Sequence, residues 1–251
     1  SDNGDTWSQI QTPNQGGNKL YGHNGVLYMN SYQGFSATRD YKIDWSYYNV
    51  TDKDMITSKI IFGEEDVLFV LLSKGFQSAL YFHPGAMQLW VEIPLPYTVM
   101  EDTTAMGDTV SLVNDIVINP EGELVIATRM GEIYKSAEYY TEWNLIKSDI
   151  PEIMTNGGIV LHTYNDYLFI SNGVDFLKYD YQGNEHSMDD VYFPPHDILH
   201  HKNRMYYSCI YGLYVSENTG ESWDLVNGKE EKYEDIHLAQ DNYLFIANER
   251  K

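Results

Sequence analysis

Ser216-Glu-Asn218-Thr-Gly220-Glu-Ser222-Trp223 is the stretch on which the reading of this chain turns. At the opposite end, Asp2-Asn-Gly4-Asp-Thr6-Trp7 repeats its last six positions with conservative changes. Each position has a physical reason. Asn218 and Asp2 carry short polar side chains that accept hydrogen bonds from backbone N–H groups two residues on, closing an Asx-type turn. Gly220 and Gly4 stand where such a turn needs positive φ. Ser222 and Thr6 bring hydroxyls that tie the turn back on itself. The tryptophan then opens the outgoing strand and buries a large ring between neighbouring sheets. The octet therefore reads as a hairpin device joined to a packing anchor.

Working outward, the tryptophans write a repeat. Trp7, Trp45, Trp90, Trp143 and Trp223 recur at intervals of about forty to fifty residues, the last interval being about twice that. Worn versions of the octet precede three of them, as in Thr38-Arg-Asp40 before Trp45, His83-Pro-Gly before Trp90 and Ser136-Ala-Glu138 before Trp143. A turn without a tryptophan, Gln182-Gly183-Asn184, fills the long interval. A strand-like pattern recurs in six copies: Val26-Leu-Tyr-Met, Val67-Leu-Phe-Val, Leu124-Val-Ile-Ala, Tyr167-Leu-Phe-Ile, Met205-Tyr-Tyr-Ser and Tyr243-Leu-Phe-Ile. Four strands per repeat predict an all-β chain, a β-propeller of four-stranded antiparallel blades. Six blades are expected, with seven or more as the alternative, in a single domain over 1–251. The N-terminal octet and the unfinished C-terminal repeat predict a ring closed by both ends in one blade.

The pattern Ser-x-Asp-x-Gly-x-Thr-Trp, kept best at Asp2–Trp7 and Ser216–Trp223, resembles the Asp-box (BNR) repeat of the sialidase-like and sorting-receptor-like propellers. That resemblance implies that Asp2, Gly4, Thr6, Trp7, Ser216, Asn218, Gly220, Ser222 and Trp223 carry fold and not catalysis. Sialidases of this superfamily would need an Arg-Ile-Pro motif and three arginines gripping a substrate carboxylate. The chain has no Arg-Ile-Pro, and its four arginines are Arg39, Arg129, Arg204 and Arg250. Sialidase activity is therefore disfavoured.

Charge narrows the partners. With 16 basic and 37 acidic side chains, the formal charge is −21. Nucleic acid needs a basic footprint, so it is excluded, and anionic membrane surfaces are disfavoured. Cations, sugars and basic protein patches are favoured instead. No apolar run is long enough to insert in a membrane. Cys209 is the only cysteine, which excludes an internal disulfide. It lies in a strand-like run and reads as a buried, inert thiol. The expected location is secreted, periplasmic or cell-surface, although the chain carries no signal peptide.

The alignment of repeats also places a candidate ligand site. In a propeller the first strand of each blade lines the central channel. Its entrances here are Asn18-Lys19, Ser58-Lys59, Asn114-Asp115, Gly157-Gly158, His196-Asp197 and Glu234-Asp235. Loops between second and third strands open on the same face and contribute Tyr32, Lys74, Phe76, Arg129, Asn172 and Tyr211. The candidate ligand-binding set is Lys59, Lys74, Asn114, Asp115, Arg129, His196, Asp197, Tyr211, Glu234 and Asp235. Asp115, Asp197, Glu234 and Asp235 could together hold a hard cation, which wants several carboxylate oxygens. No other cofactor is called for. His196, His200 and His201 cluster in sequence, but on a strand His201 points away from the other two, and the spacing matches no zinc motif.

Three functions follow. The favoured one is a non-catalytic binding or scaffold propeller that recognises a protein or glycan on one face. The alternative is a glycoside hydrolase using a carboxylate pair at the channel mouth, where the separation of the two groups would set the stereochemistry. The third is a structural subunit of a larger extracytoplasmic assembly, with Pro94 to Val110 as an interaction arm far longer than a usual strand connection. The native state is a monomer or such a subunit.

Overall fold

The computed structural model describes residues 19–39, 44–75, 77–84, 89–96, 98–99, 109–110, 113–137, 140–151, 159–189, 191, 193–226, 235–238 and 244–247. The first blade is the antiparallel meander β1 (Leu20–His23), β2 (Val26–Ser31), β3 (Gly34–Thr38) and β4 (Ser46–Asn49). The second is β5 (Ile56–Phe62), β6 (Leu68–Lys74), β7 (Gln77–His83) and β8 (Val91–Ile93), with a single 3-10 turn at Glu64–Asp66. Between this blade and the next, β9 (Thr98–Val99) pairs with β10 (Thr109–Val110) inside the long segment read as an arm. The third blade is β11 (Val113–Ile118), β12 (Leu124–Thr128), β13 (Ile133–Ser136) and β14 (Trp143–Lys147). The fourth is β15 (Val160–Tyr164), β16 (Tyr167–Ser171), β17 (Phe176–Asp180) and β18 (Glu185–His186). The fifth is β19 (Asp197–His201), β20 (Arg204–Cys209), β21 (Gly212–Ser216) and β22 (Asp224–Leu225).

The sixth copy of the strand pattern gives only a two-stranded sheet, β23 (Asp235–Leu238) with β24 (Leu244–Ala247). The propeller therefore has five four-stranded blades among the described residues, and the expectation of six, or of seven or more, is corrected. The recurring pattern marks the second strand of a repeat, and that strand needs only its hairpin partner to form. Counting it counts hairpins, whereas a blade also requires a third and a fourth strand. The predicted closure by Asp2–Trp7 lies outside the described residues.

The chain divides into two compact units, one of residues 1–116 and 136–143, the other of 117–135 and 144–251. In unit 1, Phe35, Ala37 and Val50 pack with Ile60, Val70, Leu72 and Tyr81 in a core between the first two blades. In unit 2, Val125, Ala127 and Ile133 pack with Leu161, Leu168 and Ile170. A second core there gathers Phe169 and Phe176 with Met205, Tyr207 and Trp223. Alternation along the strands produces these layers, since every second side chain faces the neighbouring blade.

Candidate functional site

The first strands of the blades carry the residues expected at a channel mouth, and the structure gives two of them a definite task. Asp115 is buried on β11, where its Oδ1 accepts from the Ile116 amide at 2.8 Å and from Lys59 Nζ at 2.6 Å. Lys59 sits on β5 beside a register shift between Thr57 and Lys59, an irregularity of the kind that re-aims a side chain. Asp197 repeats the geometry on β19: its Oδ1 accepts from the Ile198 amide at 2.9 Å, and its Oδ2 from the Ile236 amide at 3.3 Å. Both carboxylates thus bind their own strand and reach the first strand of an adjacent sheet. Asn114 lies on β11 beside Asp115, and exposed His196 precedes β19, its amide donating to Ser208 O at 2.8 Å. Asp235 opens β23, and Glu234 lies outside the described residues.

Loops between second and third strands behave differently. In unit 1, Tyr32 and Lys74 converge on Asp54, whose carboxylate accepts from both. The Lys74 ammonium and then the Tyr32 hydroxyl hold that exposed carboxyl below its ordinary value, while the same bond pushes the Tyr32 phenol up. Phe76 lies outside the described residues.

In unit 2 these turns come from three consecutive blades, and contacts chain them along one end of the sheets. The Ile150 amide donates to Gly131 O in the β12–β13 turn at 3.1 Å. Gly131 has φ +76° and a Cβ there would lie 2.1 Å from Ile150 O, so only glycine fits. Asn172, in the β16–β17 turn, donates from Nδ2 to Pro151 O at 3.1 Å, while its Oδ1 accepts from the Val174 and Asp175 amides. Ser171 Oγ donates to Pro195 O at 3.0 Å, and Phe193 packs on Tyr211 of the β20–β21 turn with ring centroids 3.8 Å apart. At the tips, Arg129 is exposed beside exposed Met130, Val174 is 57% exposed, and Ile210 is 45% exposed beside Tyr211. Large apolar side chains at three successive turn tips are costly in water and form no core.

Two features escaped the sequence reading. In unit 1, a cavity of about 1120 Å³ opens between the first and second blades, at the end of the sheets opposite the β2–β3 turn. Rings run through it in contact: Tyr48 stacks on Phe35 (5.1 Å, 15°), and Phe35 meets the edge of Trp90 at 5.9 Å. Phe62 and His23 continue the row, stacked at 4.3 Å. In unit 2, His200 Nδ1 lies 3.3 Å from His162 Nε2, so the partner of His200 comes from β15 and not from His196 or His201. Burial, and then the neighbouring His201, push the His200 imidazole down. Among the described residues no three His, Cys, Asp or Glu side chains converge as metal ligands would.

The octet itself forms a closed turn. Ser216 Oγ accepts from the Gly220 amide at 2.8 Å, Asn218 Oδ1 accepts from the Ser222 amide at 3.0 Å, and Asn218 Nδ2 donates to Ser222 Oγ at 2.9 Å. Trp223 follows, 5% exposed, against Tyr207 and Phe176. Among the described residues its indole N–H has no hydrogen-bond partner, and the ring is held there by packing.

Five antiparallel four-stranded meanders in sequence order define the β-propeller class. The chain is similar to YCF48 from Cyanidioschyzon merolae, at 11% identity over 98% of this chain and 83% of that one, with a TM-score of 0.61. It is also similar to virginiamycin B lyase from Staphylococcus aureus, at 9% identity over 92% and 84% of the two chains, with a TM-score of 0.60. A structure of YCF48 bound to D1 peptide aligns at 14% identity over 81% and 65%, with a TM-score of 0.54. No family model and no curated protein sequence matches the chain. At such identities the likeness carries the fold alone.

Proposed function

We propose that this chain is a non-catalytic binding propeller whose partner is a protein, docked on the turn face of unit 2. The observation that carries the reading is the set of exposed apolar tips, Met130, Val174, Ile210 and Tyr211, on turns chained together through residues 150–151 and 193–195. A patch of that kind on a chain of charge −21 marks an interaction site more readily than a solvated surface. The carboxylates best placed for glycoside chemistry, Asp115 and Asp197, are already engaged with Lys59 and with backbone amides, which lowers the case for an acid–base pair. YCF48, similar in fold, has been solved with a peptide, which supports a peptide or protein ligand here. The Asp-box kinship belongs to this same proposal and rests on the turn chemistry of residues 216–223.

Photocrosslinking tests it. A photoreactive residue at Val174 or Ile210 should give one discrete protein adduct in the native host, lost on adding Arg129→Glu and Met130→Glu. The same residue at exposed Leu145, on the outer strand β14, should give none. Equal adducts at all three positions, or none at Val174 and Ile210, would sink the proposal.

A further inference from the structure

The aromatic cavity of unit 1 has a chemistry of its own, and the inference from it is independent of the docking reading above. We infer that this cleft is a receptor for a cationic side chain, an arginine or lysine presented by a basic segment of a partner protein. Three observations bear on it. The first is shape: a cavity of about 1120 Å³ is far more than a packing defect and has room for a side chain with flanking backbone. The second is the ring arrangement. Tyr48 is 46% exposed and is covered on one face by Phe35 at 5.1 Å and 15°, and among the described residues no second ring stacks on its other face. Trp90 stands beside Phe35 and His83, at 5.9 and 5.1 Å, as a second aromatic wall. A cation over such faces is attracted by the ring quadrupoles, and a planar guanidinium also stacks on them.

The third observation is charge. The exposed carboxylates Asp44 and Asp66 line the cavity, with Arg39 as the one cation among its described lining residues. Asp66 closes the short turn Glu64–Asp66, so two more exposed carboxylates, Glu64 and Glu65, precede it directly. That turn holds its acids in an uncommon backbone state, with Glu65 at φ +53° and Asp66 at φ +61°, a region non-glycine residues rarely occupy. Asp66 is oriented by Asn24, whose Nδ2 donates to it at 2.7 Å. The excess of acid at the rim has the sign of the whole chain, −21, so the local site and the long-range field select the same partner. Arg39 marks the boundary of the subsite, since it would repel a second cation placed beside it.

A neutral sugar would also stack on Tyr48 and Trp90, and the test separates the two chemistries. The probe is a pentapeptide amide, Gly-Arg-Gly-Arg-Gly, titrated calorimetrically against the whole protein, with its citrulline counterpart as the uncharged isostere. The expected result is saturable binding of the arginine peptide and at least about fivefold weaker binding of the citrulline peptide. The double variant Asp44→Asn with Asp66→Asn, and separately Tyr48→Leu, should each weaken the arginine peptide by about fivefold or more. Asp224→Asn with Glu121→Gln removes the same charge from exposed positions elsewhere and should leave binding within about twofold. Circular dichroism of each variant confirms that the fold is retained. Three results overturn the assignment: no binding of the arginine peptide, equal binding of the citrulline peptide, or equal weakening by the control pair, which would make the attraction diffuse.

Discussion

Trp223 and Trp90 hold the same place in their repeats, each just ahead of the fourth strand of a blade, yet their surroundings are opposite. Trp223 follows a turn with every polar position kept, and it fills the space between the fourth and fifth blades against Phe176 and Tyr207. Trp90 follows a stretch that has lost those residues, and its half-buried ring borders a cavity. The octet sets where the ring goes. Where the octet is kept the tryptophan is a wedge between sheets, and where its residues are lost from the sequence it is a wall.

The largest effect is expected at Trp223. Trp223→Ala should cost about 3–5 kcal/mol, because a nearly fully buried ring leaves a cavity its neighbours cannot collapse into. Urea unfolding reads this, and a loss under about 1.5 kcal/mol would mean the ring is not a wedge. Gly220→Ala comes next. Its Cβ would lie 2.6 Å from Phe169 Cε1 at a residue with φ +76°, so a loss of about 1–3 kcal/mol is expected from the same measurement. Ser216→Ala removes the acceptor for the Gly220 amide and should cost about 1–2 kcal/mol.

Trp90→Ala sharpens the contrast from the other side. Its loss should be about 1 kcal/mol, well below that of Trp223→Ala, while binding of a cationic peptide falls. Equal losses for the two tryptophans would erase the distinction drawn between them. The smallest effect lies in the fourth blade, where Asp180 closes the equivalent turn by accepting from the Gln182 and Asn184 amides, both at 2.9 Å. Burial raises its carboxyl, but hydrogen bonds from Asn184, Gln182 and His186 outweigh that and hold it below its ordinary value. A depressed carboxyl stabilises the fold above its unfolded value of 3.8, and that contribution is lost as pH falls through the lower native one. Asp180→Asn should therefore flatten the acid side of a stability profile taken from about pH 6 to pH 2.5. In the fifth blade the equivalent turn is closed by the neutral acceptors Ser216 Oγ and Asn218 Oδ1, so its closing hydrogen bonds carry no such pH dependence.

Much of this was legible in the chain. The six strand patterns fall on β2, β6, β12, β16, β20 and β24, and Trp45, Trp90, Trp143 and Trp223 stand at or just before the fourth strand of a blade. These signals are local, since strand alternation and turn chemistry need only neighbours in sequence. Blade number was not local, because the sixth hairpin looks like the others in sequence, and only the pairing of strands shows that among the described residues it stands as a two-stranded sheet. Asp115 and Asp197 were recognisable as polar first-strand residues, but their links to Lys59 and Ile236 depend on which strands lie side by side. The meeting of His162 with His200 is illegible for the same reason, since 38 residues separate them in sequence. The cavity beside Trp90 left only a negative trace, the erosion of a turn.

Cys209 offers one more use of the fold. It is the chain's only thiol, fully buried in the fifth blade, with burial pushing its ionisation up and the Tyr211 amide donating to its sulfur at 3.4 Å. A reagent in solution can reach it only when the β20–β21 hairpin parts from its neighbours. The rate of thiol labelling is therefore a clock for the opening of that blade, readable at one atom and without any added probe. Because Tyr211 also belongs to the face proposed to bind a partner, docking there should slow the clock.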